Sequence, residues 1–147
     1  MSLKLANVRV DMLVTGPDES ALLVVETKRR RIDPAMLRQI GESAAALRPA
    51  FVMAADPHEI VVAPAPNGTA DWDHSIRLST PAILRQYDDT ANFDRMENFY
   101  FHTLVEAWLR DFTHAWKSAR PPGYEELDKL GLVARLRGGE VHAEGHI

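Results

Sequence analysis

The stretch "VVETKRRRID", residues 24–33, decides the fold. It opens as core, because Val24 and Val25 close the apolar run "ALLVV" that begins at Ala21. It then turns polar with Glu26, Lys28 and three arginines, Arg29, Arg30 and Arg31. Side chains alternate across a strand, so Glu26 and Lys28 share one face while Val25 and Thr27 take the other. Continued alternation would put Arg30 with Glu26 and Lys28, and Arg29 and Arg31 opposite. Asp33-Pro34 then marks a helix start: the aspartate caps free N–H groups and proline suits the first helical position. A branched apolar strand feeding a capped helix is the seed of an α/β unit.

Upstream, "LANVRVDMLV" (residues 5–14) sets Val8, Val10, Met12 and Val14 against Arg9, Asp11 and Leu13. That period of two predicts a strand. "TGPDES" (15–20) is turn-forming, so the two strands make an antiparallel hairpin. Downstream, "PAMLRQIGESAAALR" carries Leu37, Ile40, Ala44 and Leu47 as a buried helical stripe, and Pro49 ends it. "AFVMAA" and "EIVVAPA", separated by "DPH", predict a second hairpin, and "IRLS" (76–79) a last short strand.

Thr80-Pro81 starts a second helix, "PAILRQYD". A long helix is expected over residues 93–118, with Met96, Tyr100, Leu104, Trp108, Phe112 and Ala115 on one face. Its many aromatics suggest burial on more than one side, and hence a homodimer packed through it. "RPPG" (120–123) stops the chain, "YEELDKL" is a short helix, and "LVARLRGGEVHA" predicts a hairpin around Gly138-Gly139. The expected fold class is α/β (α+β), a mixed central sheet flanked by helices in a single domain, 1–147. Its parts are a core over 4–79 of two hairpins around a helix, a helical part over 80–119, and a tail over 120–144.

Bulk properties bound the function. The 147 residues are 46% hydrophobic and 26% charged, ordinary for one globular domain. There is no cysteine, which excludes disulfides and thiolate metal sites and suits a reducing, cytoplasmic setting. No apolar run approaches a membrane span, and the N-terminus has no continuous apolar stretch of the signal-peptide kind. Net charge is −4, so nucleic acid would have to be bound by a local basic patch rather than by overall charge.

The hairpin brings Asp11 opposite the Val24–Glu26 region, although the sequence leaves the register open. On a shared face, Asp11, Glu26 and Lys28 would converge. Two carboxylates suit a hard cation such as Mg²⁺ (or Mn²⁺), with the backbone carbonyl of Thr27 as a further oxygen. Such an ion acidifies a water and neutralises charge on a phosphate. Lys28 would orient the water and stabilise the transition state. Arg29, Arg30 and Arg31 would bind flanking phosphates of nucleic acid, more readily DNA, or else form a merely solvated turn.

"RVDMLV" followed by "LLVVETK" resembles the PD-(D/E)XK (restriction endonuclease-like) nuclease superfamily. Asp11, Glu26 and Lys28 stand on its motif positions, and Val10 replaces the motif's proline. The helix with Gln39 and then "RPAFVMAADPHEIVVAPA" is similar to the N-terminal nuclease domain of type I restriction enzyme R subunits. That resemblance covers about residues 7–65. It implies a restriction endonuclease-like core with a helical C-terminal extension, metal-dependent phosphodiester hydrolysis, and Gln39 facing the site. Relatives usually place a helix ahead of the first strand, which this sequence lacks. The alternative is a nuclease-like fold kept as a non-catalytic nucleic-acid-binding or assembly module. His102 with Glu106, Asp111 with His114, and "DWDH" (71–74) read as ordinary polar pairs and a turn. No phosphate-cradling glycine loop is present.

Overall fold

The computed structural model describes residues 3–5 and 8–143, with side-chain environments from Arg9 onward. The expectations for residues 1, 2, 6, 7 and 144–147, and for the Val8 side chain, lie outside the described residues.

A six-stranded mixed sheet forms the middle layer, in the order β7-β6-β5-β4-β3-β8. Its strands are β3 (Met12–Thr15), β4 (Ala21–Thr27), β5 (Phe51–Ala55), β6 (Glu59–Pro64), β7 (Ile76–Ser79) and β8 (Glu140–Ala143). β3 pairs antiparallel with β4, and β5 with β6, as the two expected hairpins. β4 and β5 run parallel, so the chain crosses between them through a helix, α1 (Pro34–Ala44). β4 is central: Leu22, Leu23, Val24 and Val25 are each at most 1% exposed, which explains an unbroken apolar run instead of alternation.

Each face of the sheet has its own core. On one side Leu13, Val24, Val52 and Val61 meet Leu37, Ile40 and Ala44 of α1. On the other, Met12, Leu23, Val25, Met53 and Val62 meet the remaining helices, α2 (Thr80–Leu84), α3 (Asn98–His114), α4 (Tyr124–Lys129) and α5 (Val133–Leu136). Asp33 caps α1, its Oδ1 accepting from the Met36 N–H at 2.8 Å.

Four sequence expectations need correction. The first strand is not continuous. It breaks at Asp11 into β3 and a separate two-stranded ribbon, β1 (Leu3–Leu5) with β2 (Val8–Val10). The bend rotates Val10 out of the Met12–Val14 face and into the α1-side core. The long helix is shorter than 93–118, running from Asn98 to His114. Its buried stripe is Phe101, Leu104, Val105, Trp108, Leu109 and Phe112, while Tyr100 is 41% exposed. A left-handed Ala115 ends it, so Met96 and Ala115 lie outside the helix.

The third correction concerns the tail, which is no hairpin. Leu132, Val133 and Leu136 recur at helical spacing and are buried in the core as part of α5 and its approach. β8 then joins the central sheet beside β3, pairing Met12 with Ala143 and Val14 with Val141. Gly139 permits that approach, because a Cβ there would stand 2.5 Å from the Thr15 carbonyl oxygen. The second helix, α2, is likewise shorter than "PAILRQYD" suggests.

Candidate active site

The site lies at the end of β4, on the α1 side. The β3–β4 register pairs Met12 with Val25 and Leu13 with Val24, and one further step sets Asp11 across from Glu26. The ladder stops at the Asp11 bend, and the aspartate side chain replaces the missing backbone acceptor. Its Oδ2 accepts from the Thr27 N–H at 2.7 Å and from the Thr27 hydroxyl at 3.1 Å.

Glu26 is partly buried next to this carboxylate. Burial pushes its carboxyl up to about 8, and the charge of Asp11 and a hydrogen bond to the Asp11 side chain add to the rise. Lys28 and the Asp11 backbone N–H pull the other way. Near neutral pH Glu26 therefore keeps its proton. Lys28 sits one step beyond the strand, its N–H donating to the Ala55 carbonyl at 2.7 Å, so the parallel ladder fixes its backbone.

Glu26 and Lys28 open into a cleft of about 370 Å³. One wall is a single stripe of α1, Met36, Gln39, Ile40 and Ser43, at helical spacing. Glu26 and Lys28 form the base, and Arg9, Arg29 and Arg30 the rest of the lining. Four cationic side chains thus face the cleft with one carboxyl group, inside a chain whose net charge is −4. Arg29 lines it together with Arg30, contrary to strict alternation, because β4 ends at Thr27 and the chain then turns. Arg31 is exposed but is not part of the lining, and neither Asp11 nor Thr27 contributes to it.

Asp56 holds the arginine turn in place. It is fully buried at the end of β5, and its Oδ2 accepts from the Ile32 N–H at 2.7 Å. Its Oδ1 accepts from the N–H groups of His58 and Glu59 at 2.6 and 2.8 Å. The same carboxylate therefore ties the Arg29–Ile32 segment to the β5–β6 turn. Sequence reasoning passed over Asp56, although Asp followed by Pro and two residues with free N–H groups is an Asx-turn pattern. It also passed over Arg9, which the period of two had already placed on the face of Asp11.

The acids of the histidine-containing pairs have ordinary polar partners. Glu106 accepts from the Arg110 guanidinium at 2.9 Å, Asp111 accepts from the Tyr87 hydroxyl at 2.6 Å, and His74 pairs with Asp71 at 2.7 Å. Among the described residues no three His, Asp or Glu side chains gather at one point. A cation at Asp11 and Glu26 would complete its shell with backbone oxygen, water or substrate, which is the habit of Mg²⁺. No helix among the described residues is long and apolar enough to cross a membrane. Comparison with protein-family models, with curated proteins and with solved structures finds no match to the chain.

Proposed function

We propose that this chain is a metal-dependent phosphodiesterase domain acting on nucleic acid, DNA in the first instance, in a role related to restriction. The observation that carries the reading is the meeting of Glu26 with Asp11, with Lys28 beside them, at the base of a cationic cleft. The donor chemistry suits a divalent cation: burial and the Asp11 charge both disfavour an ionised Glu26, and a cation held there would offset both. Asp11 and Glu26 would hold Mg²⁺ or Mn²⁺, with the Thr27 carbonyl as a further oxygen. When bound, the ion supplies charge neutralisation at the phosphate and an acidified water. Lys28 places a positive charge where the attacked phosphate gains negative charge. Gln39, exposed on the α1 wall, orients the water or contacts the backbone. Arg29 and Arg30 grip flanking phosphates through their planar donor forks. The absence of cysteine fits a cytoplasmic setting.

One observation favours a second reading, a non-catalytic nucleic-acid-binding module. Asp11 already accepts two hydrogen bonds from Thr27, which gives its carboxylate a structural task without any metal. Plasmid nicking separates the two. With Mg²⁺ the intact chain nicks supercoiled DNA, and Glu26→Ala or EDTA abolishes nicking. DNA retention with no cleavage in Mg²⁺ or Mn²⁺ selects the binding module. Cleavage that survives EDTA or Glu26→Ala rules the metal-site reading out.

A further inference from the structure

We propose that the β1–β2 ribbon is a phosphate clamp, with Arg9 gripping the phosphate next to the one held at Asp11 and Glu26. The inference rests on the nucleic-acid reading of the cleft, but not on cleavage. β2 has left the central sheet at the Asp11 bend, and it contacts both α1 and β4. It thereby stands across the two elements that build the cleft. Arg9 is exposed and contributes to the lining, with Glu26, Lys28 and Gln39. Val10, 1% exposed in the α1-side core, anchors the ribbon directly beside it.

The spacing fits neighbouring phosphates. The Cα atoms of Arg9 and Asp11 are two residues apart, so they stand no more than about 7 Å from one another. A long guanidinium side chain covers the step from one backbone phosphate to the next, and its planar fork matches phosphate oxygens. The lining also points to backbone recognition. Among the described residues it contains no aromatic ring on which a base could stack, only arginine, lysine, amide, hydroxyl, carboxyl, thioether and aliphatic groups. Contacts from such groups to phosphates set affinity and position without reading sequence.

Binding of a fluorescent 20-base-pair DNA duplex by the full chain, in a salt series without divalent cations, tests this. One phosphate contact contributes about one unit to the slope of log affinity against log salt. Arg9→Ala is expected to lower that slope by about one and to weaken low-salt binding about tenfold. Arg9→Lys should keep most of the slope. Arg77→Ala, on the far edge of the sheet where Arg77 pairs with Glu59 at 2.6 Å, should match the wild type. If Arg9→Ala unfolds by circular dichroism, Arg9→Gln carries the same expectation. An unchanged slope and affinity on loss of the Arg9 charge overturns the clamp, as does an equal loss in Arg77→Ala. A wild type with no salt-dependent binding overturns the clamp together with the nucleic-acid reading. An Arg9-dependent slope in a protein that never cleaves supports the clamp and removes only the nuclease reading.

Discussion

Asp11 and Thr27 are joined twice: one carboxylate oxygen accepts both the backbone N–H and the side-chain hydroxyl of the threonine. The bond replaces a rung of the β3–β4 ladder just where the chain bends. It places Asp11 against Glu26 and simultaneously separates the β1–β2 ribbon from the sheet. The same residue is thus the geometric pivot of the site and one of its two acids, and substitutions can tell the two roles apart.

Asp11→Asn keeps a carbonyl oxygen for Thr27 and removes the charge. It should fold with nearly wild-type stability and lose Mg²⁺-dependent nicking. Asp11→Ala leaves the Thr27 N–H without its acceptor and should cost about 1–3 kcal/mol as well. Urea denaturation and plasmid nicking measured on both variants check this. Full activity in Asp11→Asn would remove Asp11 from the catalytic set.

Glu26 makes stability depend on pH in a defined direction. Its folded-state carboxyl titrates near 8, against an ordinary value of 4.5. Below about 4.5 both states hold the proton and the residue costs nothing. Between 4.5 and 8 the folded state keeps a proton that the unfolded chain has released, so stability falls as pH rises. Glu26→Gln removes that slope and should stabilise the metal-free protein by roughly 2–4 kcal/mol above pH 8. Thermal unfolding of both proteins across this range measures it, and parallel curves would show that Glu26 is not perturbed.

Asp56 should prove more costly to remove than its distance from the cleft suggests. Asp56→Ala leaves three backbone N–H groups without their carboxylate acceptor, one of them that of buried Ile32. A loss of roughly 3 kcal/mol or more is expected. Faster amide exchange at Ile32 should accompany it, because the arginine turn loses its tie to β5. Unchanged exchange there would mean that the turn is held by other contacts.

Gly139→Ala tests the insertion of β8. An added Cβ would sit 2.5 Å from the Thr15 carbonyl oxygen, a backbone atom with little room to move. A destabilisation of about 1–3 kcal/mol is expected, read as a lower urea midpoint.

The α/β class, both hairpins and the first helix were legible because they rest on local chemistry. Alternation, the Asp33 cap, Pro34 and the turn at Gly16-Pro17 all act within a few residues. Glu26 and Lys28 were legible as a same-face pair for that reason too, while the hairpin count put Asp11 opposite Val24–Glu26 and left the register open. The bend at Asp11 was not legible, since the period of two runs through it unbroken and only the side-chain bond to Thr27 marks it. β8 escaped because its partner β3 lies more than a hundred residues away and the Gly138-Gly139 pair mimics a hairpin turn. The boundaries of α3 failed where Ala115 takes a left-handed conformation that alanine does not advertise. Arg31 and Arg29 were sorted by an alternation that ends with the strand.

β3 begins next to Asp11 and lies between β4 and β8, so one flank of the strand that follows the first acid is closed only by residues 140–143. Folding therefore has an order imposed by synthesis. The β3–β4 hairpin and α1 can assemble early from local contacts, but β3 stays an open edge until Ala143 has been made. A pairing across so long a loop forms slowly. Until residues 140–143 are in place the β3 edge is unpaired, and that edge is where strand-mediated association would begin.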